Sequence, residues 1–323
     1  MSANSVDNLE IIPTSKALGA EVRGVDMSAP VPTDLKAKLM DSWAAHRVLL
    51  FRDQKMTDEL IVEAAEIFGG YQASGARKRR LAEGVKETFK GAVRDPRIMY
   101  VSNLDENGNL ALPDPKTRAL GSGTTELRWH SDNAYTEVPP GGTLLWAEQV
   151  PDDESGQTQF CDMIRAYAEL PEDLRDFIEG KHFRHDVSRT SAGFTHPDKP
   201  VPASYDDVEG AIHPCVRIHP STGERALYLS LRSSAPSVHF VELPSEEGEE
   251  IMDRLWAHAT RDKFVWSHKW RPNDMLVWDN RAVMHRRTAI NPAQPRVMHR
   301  TLIKGEPVIS PWIIESASDA AAE

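Results

Sequence analysis

A mainly β fold, a jelly-roll or double-sheet barrel with helical insertions, is what this sequence predicts. Three observations carry the prediction. From Ile98 onward the apolar runs are mostly short and bounded by turn residues. Helical periodicity surfaces in only a few stretches. No Pro/Gly/Ser linker divides the 323 residues into two cores, so 1–314 reads as one domain and the small, polar 315–323 as a disordered tail.

Taken in order, Leu9–Ile12 and Ala20–Arg23 fit strands separated by a glycine turn. Thr33 reads as the N-cap of a helix with Leu35, Leu39 and Trp43 on one face. His46–Phe51 reads as a buried strand. Thr57 caps a second helix carrying Ile61, Ala64, Ala65 and Phe68, which Gly69 and Gly70 terminate. Residues 71–98 lack clear periodicity and hold Arg77-Lys78-Arg79-Arg80, either a solvated basic surface or a lid closing on an acidic substrate. Met99–Ser102 and Thr143–Ala147 are strands. Asp162–Gly180 is helical, His182–Asp207 is a Pro- and Ser-rich excursion, and His213–Ile218 and Arg225–Leu229 return to β. A strong helix covers Pro244–His258, and Met275–Trp278 and Arg296–Ile303 close the fold as strands.

Composition narrows the function classes. A net charge of −11 argues against nucleic acid or an acidic membrane as the main partner. The longest apolar runs are far too short to span a bilayer. The first residues lack the basic-then-apolar order of a secretion signal. Two cysteines, Cys161 and Cys215, form no disulfide framework and read as small buried residues, so the expected setting is a reducing cytoplasm.

The central signal is Arg128-Trp129-His130-Ser131-Asp132. On a strand, residues two apart share a face, which sets an imidazole beside a carboxylate. A third ligand is read at His285, in Trp278-Asp279-Asn280-Arg281-Ala282-Val283-Met284-His285. Two histidines and one carboxylate are the donor set of non-heme Fe(II) oxygenases, with the opposite face open. The same spacing recurs in His196-Pro197-Asp198, whose prolines make it a loop. His182-Phe183-Arg184-His185 has helical metal-ligand spacing but no third ligand, and reads as surface.

Arg296 and Arg300 follow, four residues apart. On a strand they share a face with Met298, while Val297 and His299 share the other. His299, the rival third ligand, would therefore face away from Arg296. Two inward arginines each need an anion, and at about 3.3 Å per residue their Cα atoms lie roughly 13 Å apart, suiting two separate anions. A planar guanidinium fits a carboxylate in bidentate fashion.

With these residues the chain resembles the taurine dioxygenase / 2,4-D dioxygenase (TauD/TfdA-like) family of Fe(II)/2-oxoglutarate-dependent oxygenases. Further matching pieces are Pro139-Pro140-Gly141-Gly142, Val150-Pro151, Gly156-Gln157-Thr158, Ala166-Tyr167 and Leu170-Pro171. The resemblance implies a double-stranded β-helix (cupin-like) with helical insertions. It implies Fe(II) on His130, Asp132 and His285, and 2-oxoglutarate held through its far carboxylate by Arg296 and Thr158. It also implies O2 as oxidant, succinate and CO2 as products, and Arg300 facing an acidic group of the prime substrate. Hydroxylation is the implied outcome, with desaturation or oxidative cleavage as variants. Dimers or tetramers are the assemblies the family suggests.

Two positions depart from the taurine-specific members. Gly69–Ala73 carries no histidine, and Glu126 stands where those members have asparagine. Glu126 is read either as a substrate-amine contact or as an ordinary strand-end ion pair. Tyr135 and Trp278 are read as pocket wall or core. The expected substrate is a small organic anion. Rival readings are a zinc metallohydrolase on the same triad and a non-catalytic 2-oxoglutarate-binding protein.

Overall fold

The structure, a computed structural model, describes residues 4–73, 82, 88–89, 92–111, 124–196 and 199–312. In chain order its strands begin with β1 (Glu10–Pro13), β2 (Ala20–Arg23), β3 (Val48–Phe51), β4 (Thr88–Phe89), β5 (Ala92–Val93) and β6 (Met99–Ser102). They continue with β7 (Leu127–His130), β8 (Gly142–Gln149), β9 (Thr158–Asp162), β10 (His182–Arg184), β11 (Ile212–Pro214) and β12 (Val216–Ile218). The last are β13 (Arg225–Leu227), β14 (His239–Phe240), β15 (Val265–His268), β16 (Met275–Asp279), β17 (Val283–Arg287) and β18 (Val297–Ile303). The α-helices are α1 (Thr33–His46), α2 (Asp58–Ile67), α3 (Met163–Ala168), α4 (Glu172–Ile178) and α5 (Glu246–Ala259).

Two sheets form the double-stranded β-helix. One has seven strands in the order β1-β2-β3-β16-β8-β18-β6, the other four in the order β15-β9-β17-β7. All pairings within them are antiparallel except β2 with β3. Between the sheets pack Leu145, Leu276, Trp278 and Met298 from the larger and Phe160, Trp266 and Val283 from the smaller.

The outer face of the large sheet is covered by α1 and α2, through Leu35, Leu39, Trp43, Ile61 and Phe68 against Leu49, Phe51, Leu144 and Val277. Helices α3 to α5 cover the outer face of the small sheet, where Ile164, Leu174, Met252 and Leu255 meet Cys161 and Met284. With both faces buried, β3 and β16 can be apolar at successive positions instead of alternating. Among the described residues no helix is long and apolar enough to cross a membrane.

Several boundaries differ from the sequence reading. Thr33 lies inside α1, and the N-cap position falls on Pro32, which offers no side-chain hydrogen bond. Arg47 ends α1 in the left-handed conformation (φ 65°), so the next strand starts at Val48 and not at His46. The expected Asp162–Gly180 helix is two helices. Pro171 has no N–H to continue the first and disfavours helical geometry at Leu170. Asp162 caps the first, accepting from the Ile164 and Arg165 amides. The excursion after His182 begins with strand β10, paired to β11 and β14. Residues 77–80 and the tail 315–323 lie outside the described residues.

The run Pro139-Pro140-Gly141-Gly142 has a packing reason. A Cβ on Gly142 would lie 2.5 Å from the Trp43 ring and 2.8 Å from the Trp278 carbonyl, so only glycine lets β8 start there.

His299 settles against the large sheet's outer face. Its Nδ1 meets Asp58 Oδ1 at 2.6 Å and its Nε2 meets Glu148 Oε2 at 2.8 Å. Burial opposes a charge on this imidazole, but the hydrogen bonds to Asp58 and Glu148 outweigh it, and its pKa rises above the ordinary 6.5. A raised folded-state pKa gives stability that is complete below the unfolded value and disappears as pH rises through the folded value. His299→Gln is expected to cost about 2 kcal/mol near pH 6 and progressively less at alkaline pH. Urea unfolding across the range checks it, and a pH-independent difference would contradict the assignment.

Candidate metal centre and cavity

His130 is the last residue of β7, and His285 sits mid-strand on β17. The two are direct cross-strand partners. Val283 faces the inter-sheet core, so two residues on His285 faces the same way, while Met284 points outward. Asp132 lies beyond the end of β7. Strand alternation therefore does not place it, contrary to the sequence argument. The chain turns after His130, and Ser131 pins the turn by donating to the Leu229 carbonyl at 3.0 Å.

The three side chains converge. Asp132 Oδ1 is 3.7 Å from His130 Nε2 and 3.8 Å from His285 Nε2. Among the described residues this is the one group of three such donors with all ligand atoms within 4.8 Å of one another. His130 Nδ1 lies 2.7 Å from the Arg128 carbonyl, which can accept only if Nδ1 carries the proton, leaving the Nε2 lone pair facing Asp132. Trp278 packs against the His285 ring, centroids 4.8 Å apart, so it backs the imidazole from the core.

Electrostatics suit a cation here. Burial lowers the pKa of His130, and burial together with neighbouring His130 takes His285 well below 6.5, so both imidazoles are neutral donors. Burial alone would raise Asp132, but the Arg300 guanidinium and the Thr143 hydroxyl hold it well below the usual carboxylate range. Its second oxygen is fixed by a relay. Trp278 Nε1 donates to Asn280 Oδ1 (2.9 Å), Asn280 Nδ2 donates to Thr143 Oγ1 (3.1 Å), and Thr143 donates to Asp132 Oδ2 (2.7 Å). The Trp278-Asp279-Asn280 motif thus orients the Asp132 carboxylate. Neutral imidazoles and an ionised carboxylate, each turned toward one point, fit a divalent metal.

Arg296 is 2% exposed. Its backbone is clamped to Asn103, whose Oδ1 accepts the Arg296 amide at 2.8 Å. Its Nε has no hydrogen-bond partner, and it makes no ion pair among the described residues. Burial lowers its pKa, with nearby Arg287 adding to the effect. Arg287 is the cross-strand partner of Thr158, the first residue of β9. Gly156, two residues earlier, brings its backbone against the Arg296 side chain, where a Cβ would lie 3.2 Å from Nε. Thr158 Oγ1 accepts from Trp270 Nε1 at 3.0 Å, which leaves its own O–H available to donate. A buried guanidinium with no anion among the described residues, packed against Gly156 two residues before a hydroxyl donor, fits a carboxylate.

A cavity of about 230 Å³ opens over His130 and Asp132. Tyr135, read as pocket wall or core, lines it, with its hydroxyl 3.1 Å from Asn133 Oδ1. Arg300 also lines it, but its guanidinium is drawn onto Asp132 Oδ1 at 2.5 Å, because a buried carboxylate needs a cation and Arg300 is within reach. Glu126 is exposed and does not line the cavity. It lies four residues before His130, about 13 Å along an extended chain. Trp278 is core and not wall.

Sequence reasoning missed the opposite wall. His185, read as surface, is 1% exposed, bonds Ser230 Oγ through Nδ1 (2.7 Å) and lines the cavity. It sits just past strand β10, not on a helix. Its supposed partner His182 pairs instead with Glu242 at 2.8 Å. Asp186, Arg189 and His196 of the excursion also line the cavity. The only signal was a density of His, Arg and Asp in a segment without periodicity.

Comparison with known proteins adds the following. Residues 10–302 match the model of the family described as "Taurine catabolism dioxygenase TauD, TfdA family". The chain is 28% identical over 306 residues to the (S)-phenoxypropionate/alpha-ketoglutarate-dioxygenase of Sphingobium herbicidovorans, covering 92% of this chain and 96% of that one. It is 29% identical over 304 residues to the alpha-ketoglutarate-dependent 2,4-dichlorophenoxyacetate dioxygenase of Cupriavidus pinatubonensis, covering 93% and 95%. Among solved structures it is similar to AAD-2 in complex with Mn(II) and N-oxalylglycine. There the TM-score is 0.75 at 27% identity, over 94% of this chain and 99% of that one.

Proposed function

The chain belongs to the taurine catabolism dioxygenase TauD, TfdA family and is a 2-oxoglutarate-dependent dioxygenase, and from that premise we propose that it uses Fe(II) to hydroxylate a small organic anion. His130, Asp132 and His285 would hold the iron. Bound iron, with 2-oxoglutarate and O2, supplies the oxidation: one oxygen atom enters a substrate C–H bond, and the other enters succinate as CO2 leaves.

This chain's residues bind and orient the reactants. Arg296 takes the far carboxylate of 2-oxoglutarate in its planar fork, and the Thr158 hydroxyl donates to the same group. The Thr143–Asn280–Trp278 relay keeps Asp132 turned toward the histidines. Tyr135 and the excursion after His182 close the side where the prime substrate enters. The relatives named for phenoxypropionate and 2,4-dichlorophenoxyacetate support an aryloxyalkanoate-sized acid as the substrate class.

The single observation that carries the reading is that a buried Arg296 with no anion among the described residues accompanies a neutral-histidine and carboxylate triad in the same double-sheet core. A zinc hydrolase on the same triad has no use for that cation. The test is succinate release from Fe(II), ascorbate and 2-oxoglutarate with a panel of carboxylates, sulfonates and sulfate esters. Substrate-stimulated succinate with an oxygenated product is expected. Turnover of an ester with zinc and without O2 would overturn it.

A further inference from the structure

Building on the cosubstrate reading of Arg296 and Thr158, we propose that Trp270 is a positioning residue: its indole N–H fixes the direction of the Thr158 hydroxyl and readies it for the far carboxylate of 2-oxoglutarate. The observation behind it is a one-way hydrogen bond. Trp270 Nε1 donates to Thr158 Oγ1 at 3.0 Å, and both residues are buried. An indole N–H can only donate, so it occupies an oxygen lone pair and the hydroxyl proton must turn elsewhere. Among the described residues that proton meets no acceptor.

A buried hydroxyl that already accepts and still holds an unused proton calls for an acceptor. A carboxylate oxygen only accepts, and suits it. Without the indole the hydroxyl would be free to rotate, and ordering it would fall to the ligand. Gly156, two residues before Thr158, packs against Arg296, so the strand that presents the hydroxyl is the one that meets the cation.

Trp270 is itself held from behind. It follows β15, whose last residue, His268, is the cross-strand partner of Thr158. Its ring packs in the core between the sheets, with Trp266 and Phe160. The His268 ring meets it edge-on, at 85° with centroids 4.7 Å apart, and His268 Nε2 lies 3.1 Å from Asp274 Oδ2. The same oxygen accepts from Arg52 Nη1 at 2.7 Å and from the Arg271 amide at 2.8 Å. The Asp274 carbonyl accepts the Ala147 amide of β8 at 2.9 Å. The turn that carries Trp270 is thus tied to both sheets, and the indole cannot leave Thr158 without breaking buried contacts. Trp270 does not line the cavity over His130 and Asp132, so its effect falls on the cosubstrate and not on the prime substrate.

The test is a selectivity ratio measured within each variant. 2-Oxoglutarate and 2-oxovalerate share the oxo-acid end and differ in the far carboxylate. Each is titrated calorimetrically and anaerobically against the full chain with Fe(II), in wild type, Trp270→Phe, Thr158→Val and the double variant. Wild type is expected to prefer 2-oxoglutarate, and Trp270→Phe to lose roughly 3- to 10-fold of that preference, the worth of one hydrogen bond. Thr158→Val should lose at least as much. Adding Trp270→Phe to it should change nothing further, since a positioning residue has no effect once the group it positions is gone. In Thr158→Ser, which keeps the hydroxyl, Trp270→Phe should cost the same as in wild type. Loosened packing lowers both affinities and leaves the ratio readable, and Trp270→Met, equally without a donor, should repeat the result. The positioning role is overturned by an unchanged ratio in Trp270→Phe, or by an equal loss in the wild-type and Thr158→Val backgrounds. A wild type that does not distinguish the two acids removes the cosubstrate reading and the positioning role with it. A wild type that prefers 2-oxoglutarate and forms succinate, while the two substitutions act additively, keeps the cosubstrate reading and removes the positioning role alone.

Discussion

Asp132→Ala is expected to reduce substrate-coupled succinate formation below detection and to weaken Fe(II) or Co(II) binding by about 100-fold or more. Losing a contact that merely supports a ligand already costs 10- to 100-fold in metal affinity, and here the ligand itself goes. Asp132 has three roles at once. Its Oδ1 faces both histidines, the same oxygen neutralises Arg300, and its Oδ2 accepts from Thr143. Deletion therefore also leaves Arg300 without its counter-ion. The metal-free variant should lose about 3 kcal/mol by urea unfolding, the low end for breaking a buried pair, because Arg300 retains some contact with water. Metal binding like that of wild type would show that the triad is not the ligand set.

Arg296→Met should separate stability from function. In the cosubstrate-free protein Arg296 is a buried cation without an ion pair among the described residues, and burial acts against its charge. An apolar side chain of similar length removes that penalty, and such replacements are often stabilising by about 1–2 kcal/mol. The same change removes the bidentate partner proposed for 2-oxoglutarate, so the affinity for 2-oxoglutarate should fall by about 100-fold. Wild type in 2-oxoglutarate at a hundred times Kd should gain about 2.7 kcal/mol, and the variant almost nothing. Unfolding with and without 2-oxoglutarate gives both numbers. A variant still stabilised like wild type would remove Arg296 from the cosubstrate site.

Much of the candidate site was legible because its signals are local. His130-Ser131-Asp132 is a short motif, and β18 keeps its two-residue period. Met298 packs between the sheets, while His299 faces α2 and binds Asp58, and His285 instead lies opposite His130. Trp278-Asp279-Asn280 was legible as a pattern but not as a mechanism, since the relay to Asp132 passes through Thr143 on a different strand. Glu126 misled for the opposite reason. A position relative to His130 says nothing about whether the chain there is covered, and it is not.

From its residues alone, the chain determined the candidate His-x-Asp motif, the paired arginines of the last strand and the faces of the main strands, because alternation and periodicity are properties of neighbouring residues. Only the tertiary structure decided that β7 lies beside β17 with His130 opposite His285, and that Arg300 turns to Asp132. Those are outcomes of register between distant segments and of competition among buried charges for partners. Neither leaves a trace in local spacing, since each depends on which groups the folded chain brings within a few ångströms.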